Sequence, residues 1–235
     1  IVVASPLSGN DSAPPVVRVF GIDPEGFWIR VQEWDYLDGI HPYETVSYMV
    51  MERGRHELPD GAWVEAGRLA KGTIAFAATA FSEPFAEVPV VFSTVTSVNE
   101  ADAVVTRMRQ ISLTGFEVRM QEQQSNRQKH LAESVDYIAW EPSFGVVNGV
   151  RYEVGHMDAG VSNQVKTLVY QGAFTQPPLF LADMQTTNGG DPANLRCRNR
   201  HEVAVEVWVS EEQSKDAETA HGVESVGYFA ADKGQ

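Results

Sequence analysis

Alternation of apolar and polar side chains is the strongest signal in this chain. Phe27, Ile29 and Val31 alternate with Trp28, Arg30 and Gln32. Phe116, Val118 and Met120 alternate with Glu117, Arg119 and Gln121, and Val205, Val207 and Val209 with Glu206, Trp208 and Ser210. A period of two with polar partners predicts half-buried β-strands. Val46, Tyr48 and Val50, with Val135, Tyr137 and Ala139, predict a second kind of strand; Val90–Phe92 and Leu179–Leu181 predict a third. Turn-forming clusters separate them at Ser8–Asp11, Asp60-Gly61, Asn148-Gly149 and Asn188–Pro192. Short strands at roughly even spacing, without βαβ alternation, predict antiparallel sandwiches and no long helix.

The strands recur with a period. A shift of 89 residues carries Gly26–Glu33 onto Gly115–Glu122, Arg18 onto Arg107 and Arg196, Asn10 onto Asn99 and Asn188, and Glu33 onto Glu122 and Glu211. The same shift places Phe85 on Phe174, Pro89 on Pro178 and His41–Tyr48 on His130–Tyr137. The third copy of that last segment, His221–Tyr228, is displaced by 91, so the loop before it holds two extra residues. Asp60–Gly67 echoes Asn148–Gly155, which places units at residues 1–59, 60–147 and 148–235. Ile1 aligns with Val90, so the first unit is truncated and lacks the strand equivalent to residues 73–85. The fold class expected is all-β: tandem antiparallel β-sandwich modules, about three repeats. Ile1-Val2-Val3 reads as a strand interior, so the chain is expected to be a segment of a longer protein. An incomplete first unit exposes a strand edge that another chain can fill, giving a homo-oligomer; an intramolecular pseudo-trimer of the three units is the alternative.

Within the second unit, Phe81-Ser82-Glu83-Pro84-Phe85, Pro89-Val90-Val91, Val104–Arg107, Thr114-Gly115-Phe116 and Val135–Ala139 follow one another in an order that resembles the H-type lectin domain. The likeness covers the greater part of a unit and recurs more weakly in the other two. It implies a six-stranded antiparallel sandwich that binds galactose or N-acetylgalactosamine, commonly as trimers. The family's sugar-stacking aromatic falls on Trp34, but on Gln123 and Glu212 in the other units. Its sugar-contacting arginine falls on Pro14, Ala103 and Pro192, and its closing-strand tryptophan on Tyr48, Tyr137 and Tyr228.

The most distinctive loop runs from Glu33 to His41 and contains Trp34, Asp35, Tyr36 and Asp38. Two aromatic faces and several carboxylates suit a pyranose, whose C–H patches stack on rings and whose hydroxyls need acceptors. Trp34, Asp35, Tyr36, Asp38 and His41 are therefore the candidate ligand-binding residues. The alternative is that Trp34 and Tyr36 cover a sandwich end or pack on the neighbouring unit. A second constellation is repeated: Glu33/His41/Glu44, Glu122/His130/Glu133 and Glu211/His221/Glu224. Two carboxylates and an imidazole can hold a divalent cation such as calcium. Glu44, however, shares strand parity with Val46 and Tyr48 and points inward, where a buried carboxylate needs a partner; the imidazole or Arg30 and Arg119 are the candidates. A structural latch that closes the long loop is the preferred reading, ahead of a metal site and of ligand contact. Arg18, Arg107 and Arg196 are expected to pair with a carboxylate across their own sheet, and Asn10, Asn99 and Asn188 to shape turns. Cys197, the single cysteine, reads as a small buried hydrophobe.

Charge narrows the partners. Lys plus Arg total 18 against 32 for Asp plus Glu, a formal net charge of −14. Phosphate backbones and anionic lipid surfaces need clustered cations, so no nucleic-acid partner is expected. No apolar run reaches the roughly 20 residues of a membrane helix, so membrane insertion is not expected either. No hydrolase elbow, zincin helix, phosphate-binding loop or dinucleotide fingerprint occurs. The three-fold repetition of the same carboxylate pair speaks for binding or latching over catalysis. The expectation is a non-catalytic, lectin-like array in a secreted or cell-surface protein, with a glycan or polysaccharide as partner and no cofactor. Structural adhesin or spacer repeats are its rival.

Overall fold

The computed structural model describes residues 1–126, 129–157 and 160–233. Among them the fold is all-β, built of several small sheets, and holds no helix. Four strands come first: β1 (Val2–Ser8), β2 (Pro15–Asp23), β3 (Gly26–Glu33) and β4 (Val46–Val50). Seven follow: β5 (Gly54–Glu57), β6 (Trp63–Gly72), β7 (Ala77–Ala80), β8 (Val90–Val95), β9 (Val104–Arg109), β10 (Gly115–Glu122) and β11 (Glu133–Trp140). Seven more complete the chain: β12 (Ser143–Val147), β13 (Val150–His156), β14 (Lys166–Val169), β15 (Leu179–Met184), β16 (Ala193–Arg198), β17 (Ala204–Glu211) and β18 (Val226–Ala231).

The pairings repeat in the same order as the sequence. β8 pairs antiparallel with β11, β15 with β18, and β1 with β4. β9 pairs with β10, β16 with β17, and β2 with β3. β6 lies on the far side of β11 and β13 on the far side of β18; β7 flanks β10 and β14 flanks β17. β5 pairs with β6, and β12 with β13, so each of these strands joins the set that follows it although it precedes residue 60 or 148. One pairing departs from the antiparallel expectation: β1 joins β16 in parallel, with Leu7 opposite Arg196 and Ser8 opposite Cys197, and so fuses strands from opposite ends of the chain.

Local chemistry explains the turns. The β12–β13 hairpin closes on Asn148-Gly149, both at positive φ, the two-residue turn whose twist matches that of the flanking strands. Alternating apolar positions bury into distinct clusters. Met108, Phe116, Val118 and Met120 meet Phe81, Val91, Val135 and Tyr137 in one; Leu195, Val205, Val207 and Val209 meet Phe174, Phe180, Val226 and Tyr228 in another. A further cluster gathers Val3, Phe92 and Leu181, three residues related by the 89-residue shift, with Ile138, Trp140, Tyr152 and Phe229. The strands that carry them, β1, β8 and β15, touch one another pairwise at the middle of the molecule.

Candidate functional site

Three copies of one polar arrangement connect the strand sets, and each is built from a strand end, a turn and a long loop. Glu44, Glu133 and Glu224 lie just before or at the start of β4, β11 and β18, with side chains that are fully buried. Each receives an arginine from another set. Arg18 of β2 reaches Glu133 at 3.1 Å, Arg107 of β9 reaches Glu224 at 2.7 Å, and Arg196 of β16 reaches Glu44 at 2.6 Å. The contacts run in one cyclic direction, first set to second, second to third and third to first. The expectation that these arginines pair within their own sheets is thereby corrected. Each guanidinium also donates to carbonyls of the receiving turn: Arg18 to Ser97 and Asp102, Arg107 to Gly189 and Asp191, Arg196 to Asp11 and Ala13. A planar fork with five donors satisfies a carboxylate and several carbonyls at once, which an ammonium does not.

The histidines complete the arrangement. His41 places Nδ1 3.3 Å from Glu33 and Nε2 3.1 Å from Glu44; His130 stands 2.9 Å from Glu122 and 3.2 Å from Glu133; His221 stands 2.8 Å from Glu211 and 3.1 Å from Glu224. Each long loop is thus tied back to the strand that follows it. The partner of the buried carboxylate is not Arg30 or Arg119, since Arg30 bonds Gln32 instead and Arg119 lies over Phe76. As metal ligands the nine residues do not converge. The two ring nitrogens of each imidazole point in opposite directions, each toward a different carboxylate, and the inner carboxylate already faces a guanidinium. Among the described residues, two other groupings bring ligand atoms together, Glu100/Glu122/His130 and Asp191/Glu211/Glu218. Neither reproduces a repeated triad.

Sequence reasoning missed the hydroxyls. Ser8, Ser97 and Thr186, again 89 residues apart, donate to Glu44, Glu133 and Glu224. Asn10, Asn99 and Asn188 do more than shape a turn: each backbone N–H donates to the same glutamate, and each amide nitrogen donates to the carbonyl of the residue before it, at 2.7–2.8 Å. Burial alone would raise the carboxyl of Glu224. Donors from His221, Thr186, Asn188 and Gly189 overcome it and hold the group down at about 2. The same contest, with Ser8 or Ser97 leading the donors, leaves Glu44 and Glu133 below the usual carboxylate range.

The candidate sugar-binding loop is placed differently from expectation. Trp34 is only 1% exposed and packs with Val16, Ala103 and Val105, so its ring covers the junction between the first and second sets and presents no open face. The expected stacking on a sugar is corrected accordingly, and the alternative of packing on the neighbouring unit holds for this residue. Asp35 accepts from the Ala103 N–H and from the Asn126 amide, again across that junction. Tyr36, 37% exposed, accepts from the Gln213 N–H of the third set. Asp38 caps its own loop by accepting from the Ile40 N–H. Gln124 and Ser125 reach Glu212 and Ser214, so the three long loops meet one another.

One relative matches nearly the whole chain. The chain is 31% identical over 242 residues to Halomucin of Haloquadratum walsbyi. The match takes in 98% of this chain and 3% of Halomucin, so the chain spans a small fraction of the relative's length. No family profile and no solved structure matches.

Proposed function

We propose that the chain is a non-catalytic structural block of a long secreted or cell-surface protein: three H-type-lectin-like sandwich repeats closed into an intramolecular pseudo-trimer. The cyclic set of Arg–Glu–His–Glu contacts carries this reading. A closed ring of identical junctions is what a trimer of one module would make, because a heterologous contact closes when its rotation is a whole fraction of a turn. The match to a small part of Halomucin supports membership in a much longer polypeptide. No helix among the described residues is long and apolar enough to cross a membrane. An acidic surface suits an extended, hydrated protein that repels its neighbours.

The test is symmetrical substitution. Arg18→Met, Arg107→Met and Arg196→Met are each expected to lower the midpoint of urea unfolding by a similar amount, with a single transition retained. Three unrelated effects, or loss of one strand set alone, would refute the ring. Glycan binding is the second reading, favoured by Tyr36 and Asp38 at the surface where the long loops meet. A glycan array probed with the full chain and with Tyr36→Ala decides it: spots lost in the variant support binding, and a blank array leaves the structural block.

A further inference from the structure

Beside the repeated arginine latch, three carboxylates meet at the base of the third long loop. Asp191 stands in the turn before β16, and Ala193, the first residue of β16, pairs with Glu211, the last of β17. Glu218 comes back to them from the loop that leaves β17. One carboxylate oxygen from each lies within 4.8 Å of the other two. The turn that carries Asp191 is held in place: the Asp191 and Gly190 carbonyls accept from Arg107 and Gln121, and the Asp191 carboxylate accepts from the Gln124 amide. Among the described residues, no lysine or arginine forms an ion pair with any of the three acids.

Glu211 is the member that calls for a ligand. The residue is only 4% exposed; its Oε1 stands 2.8 Å from Nδ1 of His221, while its buried Oε2 has no partner. The corresponding oxygen is satisfied in the other two copies. Oε2 of Glu33 accepts from the Gly39 N–H at 2.8 Å, and Oε2 of Glu122 from the Lys129 N–H at 3.1 Å. Ten residues separate Glu211 from His221, against eight from Glu33 to His41 and from Glu122 to His130. The longer loop brings Glu218 to Glu211 where the shorter ones bring a backbone donor. A carboxylate oxygen out of water and without a donor is strongly disfavoured, and two further carboxylates beside it add like-charge repulsion. A cation of charge two answers both.

We propose that Asp191, Glu211 and Glu218 bind one calcium ion, which ties the third long loop to the turn before β16. The donor set is all oxygen, because both ring nitrogens of His221 already face Glu211 and Glu224. Oxygen donors suit calcium or magnesium, whereas zinc takes nitrogen and sulfur readily. Glu218 is exposed and comes from a long loop, so the shell is irregular. Calcium accepts such a shell and magnesium demands a near-ideal octahedron. Ca–O distances of about 2.4 Å put oxygens on opposite sides of the ion about 4.8 Å apart, so the three acids need little movement to close on it. Water completes the coordination on the exposed side. The set is distinct from the repeated Glu/His/Glu triads, whose inner carboxylates already face a guanidinium.

The full chain is stripped with EDTA and titrated by calorimetry with calcium chloride and, separately, magnesium chloride, in about 0.15 M sodium chloride to screen diffuse attraction to the acidic surface. One calcium per chain is expected, bound more tightly than magnesium, with a Kd of about 0.1–1 mM. The melting temperature is expected to rise with calcium concentration. Glu218→Gln and Asp191→Asn are expected to weaken calcium binding about tenfold or more. Metal-free Glu218→Gln, relieved of a like charge, is expected to melt no lower than the parent, which separates lost binding from lost folding. Calcium is expected to slow amide exchange across residues 212–220 in the parent and not in Glu218→Gln. Glu100→Gln, in the other acidic grouping, is expected to keep the parent affinity. No saturable binding up to about 10 mM calcium overturns the site. So does an affinity that Glu218→Gln and Asp191→Asn leave unchanged, or that Glu100→Gln lowers equally. Magnesium bound as tightly as calcium overturns the assignment of the ion.

Discussion

Arg107 and Glu224 have no access to water, and that decides what their loss does. Replacing Arg107 with methionine leaves a carboxylate buried among donors but without its counter-charge, a change that typically costs about 3–5 kcal/mol; urea unfolding at neutral pH measures it. The depressed carboxyl of Glu224 also sets an acid limit. A group held at about 2 against an ordinary value of 4.5 contributes stability that is complete above about 4.5 and is lost as pH falls toward 2. Glu44 and Glu133 act in the same sense, so unfolding midpoints are expected to fall steeply across that window, and Glu224→Gln is expected to flatten the fall. Asp183 works the other way. Burial leads and pushes it up to about 7, despite hydrogen bonds from the Ser93 and Met184 N–H groups. Its charged form burdens the fold more as pH rises. Asp183→Asn is expected to raise the melting temperature more at pH 8 than at pH 5, and equal shifts at both would contradict the assignment. Ser5 and Thr94 occupy the matching positions without a charge.

At the scale of elements, equivalent strands place equivalent side chains in unequal surroundings. Tyr137→Phe deletes a hydroxyl that serves Glu65 in a buried site and is expected to cost about 1–3 kcal/mol. Tyr48→Phe, on an edge open to water, is expected to change stability by under about 0.5 kcal/mol. Thermal unfolding of the two variants side by side checks the contrast. Trp34→Ala is expected to cost about 3–5 kcal/mol, since it empties the junction of the first and second sets. The strand pattern was legible in advance because one face of each antiparallel strand is buried and the other wet. Trp34 was misread for a related reason. Its loop has no period, so sequence shows an aromatic among carboxylates but not which neighbour covers the ring. Ser8, Ser97 and Thr186 were legible through the 89-residue shift, but serine and threonine interchange there and a search for identities passes over them.

For the whole molecule, a charge of −14 acts against compactness. Salt is expected to raise the melting temperature by screening that repulsion, while the cyclic arginine–glutamate contacts, shielded from solvent, weaken little. A melting temperature that falls on going from low salt to molar sodium chloride would mean that exposed ion pairs, such as Arg198–Glu206, dominate instead. By itself the sequence determined the β class and the alternation that marks its strands, because these follow from local periodicity along the chain. Tertiary structure alone decided that Arg18, Arg107 and Arg196 each cross to the next set, that β1 runs parallel to β16, and that Trp34 turns inward. Those outcomes depend on how separate sets meet in space, and a pattern of side chains along a strand says which face is buried but not what buries it.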